Sequence, residues 1–274
     1  MTDESALEEL RFLTRALRAH LEWQAETGAT GLERALPESA LATAAPALGV
    51  PDVVAAPREA APQHSPSLQV LPATAIAARS ANANVPERLA LLAETVKSCT
   101  KCGLCERRKQ TVFARGTGSA GVCFVGEGPG ADEDAQGLPF VGKAGQLLDR
   151  MIEAMGLGRD EVYVCNVVKC RPPDNRKPEP EEMAACMPYL SEQLDLIAPK
   201  VIVALGATAV QGLLGTTEGI TRIRGKWKTF RGEIDVMPTF HPAYLLRTPA
   251  AKREVWEDLQ EVLRRIGRSV PGRR

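Results

Sequence analysis

The 274-residue sequence lacks several features that would assign a protein to a class at once. Basic and acidic side chains both number 34, so no overall positive charge indicates a nucleic-acid partner. No apolar run approaches the roughly 18 residues of a membrane span. The acidic N-terminus, Met1–Glu4, is not followed by the apolar block of a secretory signal. These absences predict a cytoplasmic protein, in which the seven cysteines do not form a disulfide framework.

The charge balance is uneven along the chain. Residues 1–85 hold 6 basic and 10 acidic side chains, and residues 86–274 hold the other 28 and 24. Leucines at three- and four-residue spacing predict an amphipathic helix over about 5–27, and an Ala/Pro-rich linker follows it. We interpret residues 1–85 as a loosely tethered extension, with recruitment of a protein partner through the helix as the alternative.

Residues 86–274 alternate between short β-rich runs and helical patterns. This alternation predicts an α/β fold with a central four-stranded parallel sheet covered by helices on both faces. The four predicted strands are Val122–Val125, Val162–Cys165, Val201–Ala204 and Ile234–Met237.

Polar residues or glycines follow each predicted strand, where the ligand crevice of such a sheet lies. The Gly126–Gly130 loop lacks both the third glycine of a dinucleotide fingerprint and the Gly-Lys-Ser/Thr of a phosphate loop. Asn166 could read the hydrogen-bonding edge of a planar ligand, although a turn residue is the plainer interpretation. His241 is the only histidine after residue 85, and its position at a strand end favours a functional role.

Five cysteines have a spacing typical of metal sites. Cys99, Cys102 and Cys105 are separated by two residues each, and Cys170 and Cys186 follow later. Four thiolates suit either zinc or a [4Fe–4S] cluster, and spacing alone favours neither. The remaining two, Cys123 and Cys165, lie inside predicted strands and are interpreted as buried thiols.

Several long motifs resemble those of the family 4 uracil-DNA glycosylases, the iron–sulfur members of that superfamily. The resemblance covers residues 86–274 and leaves the extension outside. The matching segments are Val125–Gly130, Gly137–Gly145, Asn166–Pro173, Arg224–Trp227 and His241–Arg247.

The resemblance implies a three-layer α/β/α fold and an enzyme of base excision repair. That enzyme would hydrolyse the N-glycosidic bond of deoxyuridine in single- or double-stranded DNA and leave an abasic site. The family also implies a [4Fe–4S] cluster, with Cys99, Cys102, Cys170 and Cys186 as ligands by motif position. Cys105 departs from the family pattern, so the pair Cys102/Cys105 stays open. We further expect a monomer associated with the nucleoid if the source is prokaryotic.

The same resemblance assigns roles at the site. The flipped uracil would stack on Phe140 while Asn166 reads its edge, and His241 would donate a hydrogen bond to O2 as negative charge develops there. A backbone N–H near Gly128 would assist. Either Glu127 or Glu133 would steady the sugar or orient water, and Glu133 could also exclude thymine.

A wedge is expected in the loop after His241. By resemblance, Leu245 enters the vacated base stack, and Leu246 and Arg247 support it at the DNA backbone.

Two other functions remain open at this point. The first is a relative that traps uracil-DNA covalently through a histidine in the loop after the Asn166 strand. Here that loop, Pro172–Pro178, contains no histidine. The second is a non-catalytic DNA-binding module, which would have no use for an oxyanion donor such as His241.

Overall fold

The computed structural model describes residues 84–271, together with Thr14 and Arg18 of the extension. Thr14 and Arg18 are both helical. The rest of the predicted helix over 5–27 and the predicted linker up to residue 83 lie outside the described residues. No helix in the described part of the chain is long and apolar enough to cross a membrane.

Five strands form one sheet in the order β2-β1-β3-β5-β4. Their bounds are Val122–Gly126 (β1), Tyr163–Asn166 (β2), Val201–Leu205 (β3), Lys228–Phe230 (β4) and Ile234–Thr239 (β5). The four predicted strands are all present and pair in parallel. The additional strand, β4, pairs antiparallel with β5 at the sheet edge. It was missed because it has three residues, two of them exposed, and so shows no apolar run.

Helices cover both faces of the sheet, as the three-layer prediction requires. Alternate residues of the parallel strands enter two separate cores, because successive side chains in a strand point to opposite faces. One core packs against α3 and α8, and the other against α1, α4 and α5. The helices are Val85–Lys97 (α1), Ala131–Gln136 (α2), Lys143–Ala154 (α3), Pro180–Ile197 (α4), Ala207–Leu214 (α5), Ile220–Ile223 (α6), Pro242–Arg247 (α7) and Lys252–Arg265 (α8).

The strand register aligns the carboxyl ends at one edge. Gly126 at the end of β1 lies beside Asn166 at the end of β2. Leu205 at the end of β3 lies beside Thr239 at the end of β5. His241 follows Thr239 by two residues, so the residues predicted to line a crevice come from neighbouring strand ends.

Candidate active site

A cavity of about 520 Å³ opens at the carboxyl ends of the strands. It brings together seven of the sequence-predicted site residues: Glu127, Gly128, Glu133, Phe140, Asn166, His241 and Arg247. Its lining also includes residues to which the sequence assigned no individual role: Pro129, Gly130, Ala144, Pro172, Asn175, Arg176, Ala243 and Tyr244. Asn175 and Arg176 belong to the polar loop after β2, and that polarity was the available signal.

Gly126 allows two side chains to meet at the cavity wall. A Cβ at this position would lie 2.4 Å from Asn166 Oδ1 and 2.5 Å from Phe140 Cζ. Phe140 itself has a positive φ of 55°, which is uncommon outside glycine. Gly145 in α3 permits that turn, because a Cβ there would lie 1.9 Å from the Phe140 carbonyl oxygen. The backbone is therefore shaped to hold an aromatic ring beside an amide.

The Asn166 amide is almost completely buried, with 1% of the residue exposed. Its Nδ2 has no hydrogen-bond partner among the described residues. A buried donor without a partner costs roughly 1–3 kcal/mol, so this amide calls for an acceptor from a water molecule or a ligand. A planar molecule with a carbonyl in this cavity would supply the missing acceptor.

His241 is held in one orientation and one tautomer. Its Nδ1 accepts a hydrogen bond from the backbone N–H of Ala243 at 3.1 Å, so the proton of the neutral ring belongs on Nε2. Burial and, to a smaller extent, the nearby Arg247 lower the pKa of His241 to about 4, against the opposing effect of Glu133. The ring lies 5.6 Å from the Phe140 ring, measured between centroids. Near neutral pH, His241 is therefore an uncharged donor facing the same cavity.

The two candidate carboxylates have different surroundings. Glu133 accepts hydrogen bonds from the backbone N–H groups of Gly130, Val141 and Gly142 at 3.0, 2.9 and 2.9 Å. It thereby joins the loop after β1 to the loop that carries Phe140. Within residues 84–271, the Glu127 side chain has no hydrogen bond or ion pair. Glu127 is thus the carboxylate that remains available to a ligand.

A buried polar network supports the His241 loop from below. The Asp258 carboxylate accepts hydrogen bonds from Thr239 Oγ1 at 2.6 Å and from Arg224 Nη2 at 2.6 Å. Burial raises the pKa of Asp258 to about 6, and the Thr239 and Arg224 hydrogen bonds oppose that shift. The Arg224 guanidinium also lies over the Phe240 ring at 5.6 Å. The network ties α8 to the end of β5 next to His241.

The predicted wedge loop forms the short helix α7. Leu245 is completely buried in the core, whereas Leu246 is 44% exposed. A side chain with no exposed surface can enter DNA only if the core unpacks, so the structure does not support Leu245 as the wedge. Leu246 is the residue of the pair that is placed to act. Arg247 lines the cavity rim and is exposed.

Five cysteines surround a second cavity. Its lining includes Cys99, Cys102, Cys105, Cys170 and Cys186. Arg108 donates from Nη1 to Cys170 Sγ at 3.2 Å, and burial raises the pKa of that thiol to about 11 against this hydrogen bond. No group of three or more His, Cys, Asp or Glu side chains in the described part of the chain is arranged to hold a metal ion.

The charged side chain next to the cysteine cavity indicates whether an anionic iron–sulfur cluster would suit this site. Lys169 lines this cavity and is 1% exposed, and its Nζ donates to the Asn166 carbonyl oxygen at 2.7 Å. No carboxylate pairs with Lys169 anywhere in residues 84–271. A buried ammonium without a countercharge is costly. Clustered cysteine thiolates would supply the negative charge, so the chemistry of the donors and the charge around them suit an anionic cluster.

Comparison with known proteins identifies the class first. Residues 113–260 match the family model described as the uracil DNA glycosylase superfamily. An α/β sheet with its cavity at the carboxyl ends of the parallel strands agrees with that assignment.

Individual relatives narrow the assignment. A type-4 uracil-DNA glycosylase of Thermotoga maritima is 47% identical over 178 residues, which cover 64% of this chain and 93% of the relative. A second, of Sulfurisphaera tokodaii, is 45% identical over 184 residues, 64% of this chain and 84% of the relative. A third, of Saccharolobus solfataricus, is 42% identical, with 64% and 85% covered. The chain belongs to the type-4 uracil-DNA glycosylases, which confirms the resemblance drawn from the motifs.

Proposed function

We propose that this protein hydrolyses the N-glycosidic bond of deoxyuridine in DNA, releasing uracil and leaving an abasic site for base excision repair. The observation that carries the proposal is the convergence of three groups in one cavity. These are the unpartnered amide of Asn166, the neutral Nε2–H of His241 and the ring of Phe140. Together they match the amide edge, the O2 atom and the flat face of a uracil ring.

Extrusion of the nucleotide from the duplex precedes chemistry, at a cost of a few kcal/mol. Leu246 would occupy the vacated stack, and Arg247 would contact the backbone beside it. As the glycosidic bond breaks, negative charge develops on uracil O2. The hydrogen bond from His241 Nε2 stabilises that charge, and one such donor is commonly worth about 3–4 kcal/mol in the transition state.

Glu127 takes the role of the carboxylate at the sugar in this proposal. It is free of protein partners among the described residues, so it can orient the attacking water or steady the positive charge on the deoxyribose ring. Glu133 acts instead through the backbone, since its oxygens already accept three N–H groups. The backbone N–H near Gly128 is a further donor close to the base.

The cysteine cavity is the site proposed for a [4Fe–4S] cluster. Cys99, Cys102, Cys170 and Cys186 would hold it, with Cys105 as the alternative to Cys99. A cluster there would cross-link the end of α1, the loop after β2 and helix α4, which is a structural contribution. We also propose that the protein acts in the cytoplasm on chromosomal DNA and is a monomer, and that the predicted N-terminal helix is the place for any protein partner.

The test uses purified protein and a labelled oligonucleotide that contains one uracil. Multiple-turnover formation of alkali-sensitive sites at that position is the expected result, and His241→Asn is the matched variant. Asn can still accept the hydrogen bond from Ala243 and so preserves the start of α7. A band shifted on a denaturing gel without turnover would indicate a covalent trap. If iron-containing protein gives neither signal, a non-catalytic DNA-binding module becomes the better interpretation.

A further inference from the structure

A smaller cavity of about 190 Å³ lies beside the active-site cavity. Its lining is Arg107, Arg171, Pro172, Pro173 and Asp174. Pro172 lines both cavities, so the two are neighbours on the protein surface. A polymeric ligand that extends from the active site in this direction would meet the guanidinium groups of Arg107 and Arg171.

The two arginines carry uncompensated charge. Arg171 donates from Nε to Asn175 Oδ1 at 2.8 Å, which fixes its guanidinium without neutralising it. Arg107 is exposed at the end of the turn that carries Cys105. Neither forms an ion pair with any residue in the described part of the chain. Asp174 is the one carboxylate in the cavity lining, and it too has no ion pair there.

Arg176, in the same loop, differs from Arg107 and Arg171 because it has an ion-pair partner. The Arg176 guanidinium donates two hydrogen bonds to the Glu182 carboxylate, at 2.9 and 2.7 Å, so Glu182 neutralises its charge. The backbone between Arg171 and Arg176 adopts an uncommon conformation, because Asp174 and Asn175 have positive φ values of 54° and 55°. The loop thus holds Arg171 beside the neutral side chain of Asn175, whereas Arg176 is paired with the Glu182 carboxylate.

We propose that Arg107 and Arg171 form a binding site for a phosphate of the DNA strand that carries the extruded nucleotide. Guanidinium groups match phosphate oxygens with paired hydrogen bonds. The site adjoins the active-site cavity at Pro172, so a phosphate bound there would be close to the nucleotide whose base occupies that cavity. The proposal rests on the proposed function for its ligand, because DNA is the substrate that would bring a phosphate to this position.

The experiment measures DNA affinity as a function of salt for the holoprotein and for Arg107→Gln, Arg171→Gln and the double variant. Fluorescein-labelled duplexes with and without a single uracil serve as probes. Each lost phosphate contact should reduce the slope of log K against log salt by about 0.9. The double variant, which lacks this one phosphate contact, should therefore lose about 3.5-fold less affinity than the parent between about 50 and 200 mM salt.

The matched control is Arg264→Gln. Arg264 lies in the last turn of α8, next to Arg265, which pairs with Asp235 at the opposite, amino end of β5. Its substitution should leave the slope unchanged. The expected result is an equal loss of affinity for both duplexes, because a phosphate contact does not read the base.

Two results would overturn the proposal. One is a slope in the double variant equal to that of Arg264→Gln. The other is a loss confined to the uracil duplex, which would place these arginines at the base. Failure of the proposed function appears separately, as the absence of uracil excision by the parent protein while the salt slopes still differ.

Discussion

The neutral state of His241 makes a quantitative prediction about pH. Burial and Arg247 lower the pKa of His241 from 6.5 to about 4. At pH 6 about 1% of the imidazole would then be protonated, against about 75% for an unperturbed histidine. The sign follows from the proposed role: the neutral ring donates from Nε2 while Nδ1 accepts from Ala243. Protonation would add a charge and break the Ala243 hydrogen bond, so the active form is retained down to about pH 5.

The assay is single-turnover excision of uracil from single-stranded DNA, measured from about pH 5 to 8. The rate constant should show no titration near 6.5 that belongs to His241. His241→Asn should lower the rate constant by about 10²–10³, the usual cost of one lost donor to a developing anion. A rate that rises as the pH falls through 6.5 would refute the reasoning, because it would assign the chemistry to an imidazolium.

A second ionisable group lies close enough to confuse the profile. Asp258 beneath the same loop has a pKa raised by burial to about 6, so its protonation could disturb Thr239 and the His241 loop. Nitrogen-15 NMR separates the two groups. With His20 and His64 replaced by Gln, the remaining imidazole signal reports His241 alone, and it should stay neutral at pH 6. A midpoint near 6.5 in that spectrum would contradict the structure directly.

Three further predictions concern other parts of the molecule. Gly126→Ala forces a Cβ against Asn166 and Phe140, and a displacement of about 1 Å should lower kcat/KM about 100-fold with little change in melting temperature. Leu246→Ala should slow excision from duplex DNA more than from single-stranded DNA, whereas Leu245→Ala should instead destabilise the fold by about 2–5 kcal/mol in urea denaturation. Lys169→Met should reduce the iron content of purified protein, and Lys169→Arg should restore part of it; equal iron in all three proteins would contradict the countercharge argument.

Most of the parallel sheet could be predicted from the sequence because buried parallel strands are continuous apolar runs. The prediction of the crevice also succeeded, since it needed only the residues that follow each strand. The edge strand β4 carries no such signal: its Lys-Thr-Phe sequence is too short and too polar. Its place in the sheet depends on pairing with β5, and no local pattern encodes that contact.

The roles of individual site residues were predictable only in part. Residue type and position favoured a role for His241, the family resemblance added Asn166 and Phe140, and the cavity brings all three together. The assignment of the two carboxylates could not be made, because it depends on which one the backbone satisfies. Glu133 is occupied by N–H groups that arrive from residues up to nine positions away. That is a tertiary fact, and it leaves Glu127 as the carboxylate open to a ligand.

The two neighbouring leucines of α7 show why a motif does not settle a role by itself. The helix rotates successive side chains by about 100°, so Leu245 and Leu246 cannot face the same way. Leu245 packs into the core and is completely buried, so Leu246 points outward and is 44% exposed. Leu245 anchors α7 to the core, and α7 presents Leu246 to the solvent. If Leu246 is the wedge, its effect depends on Leu245 holding α7 in place, and the two alanine variants should fail in different ways.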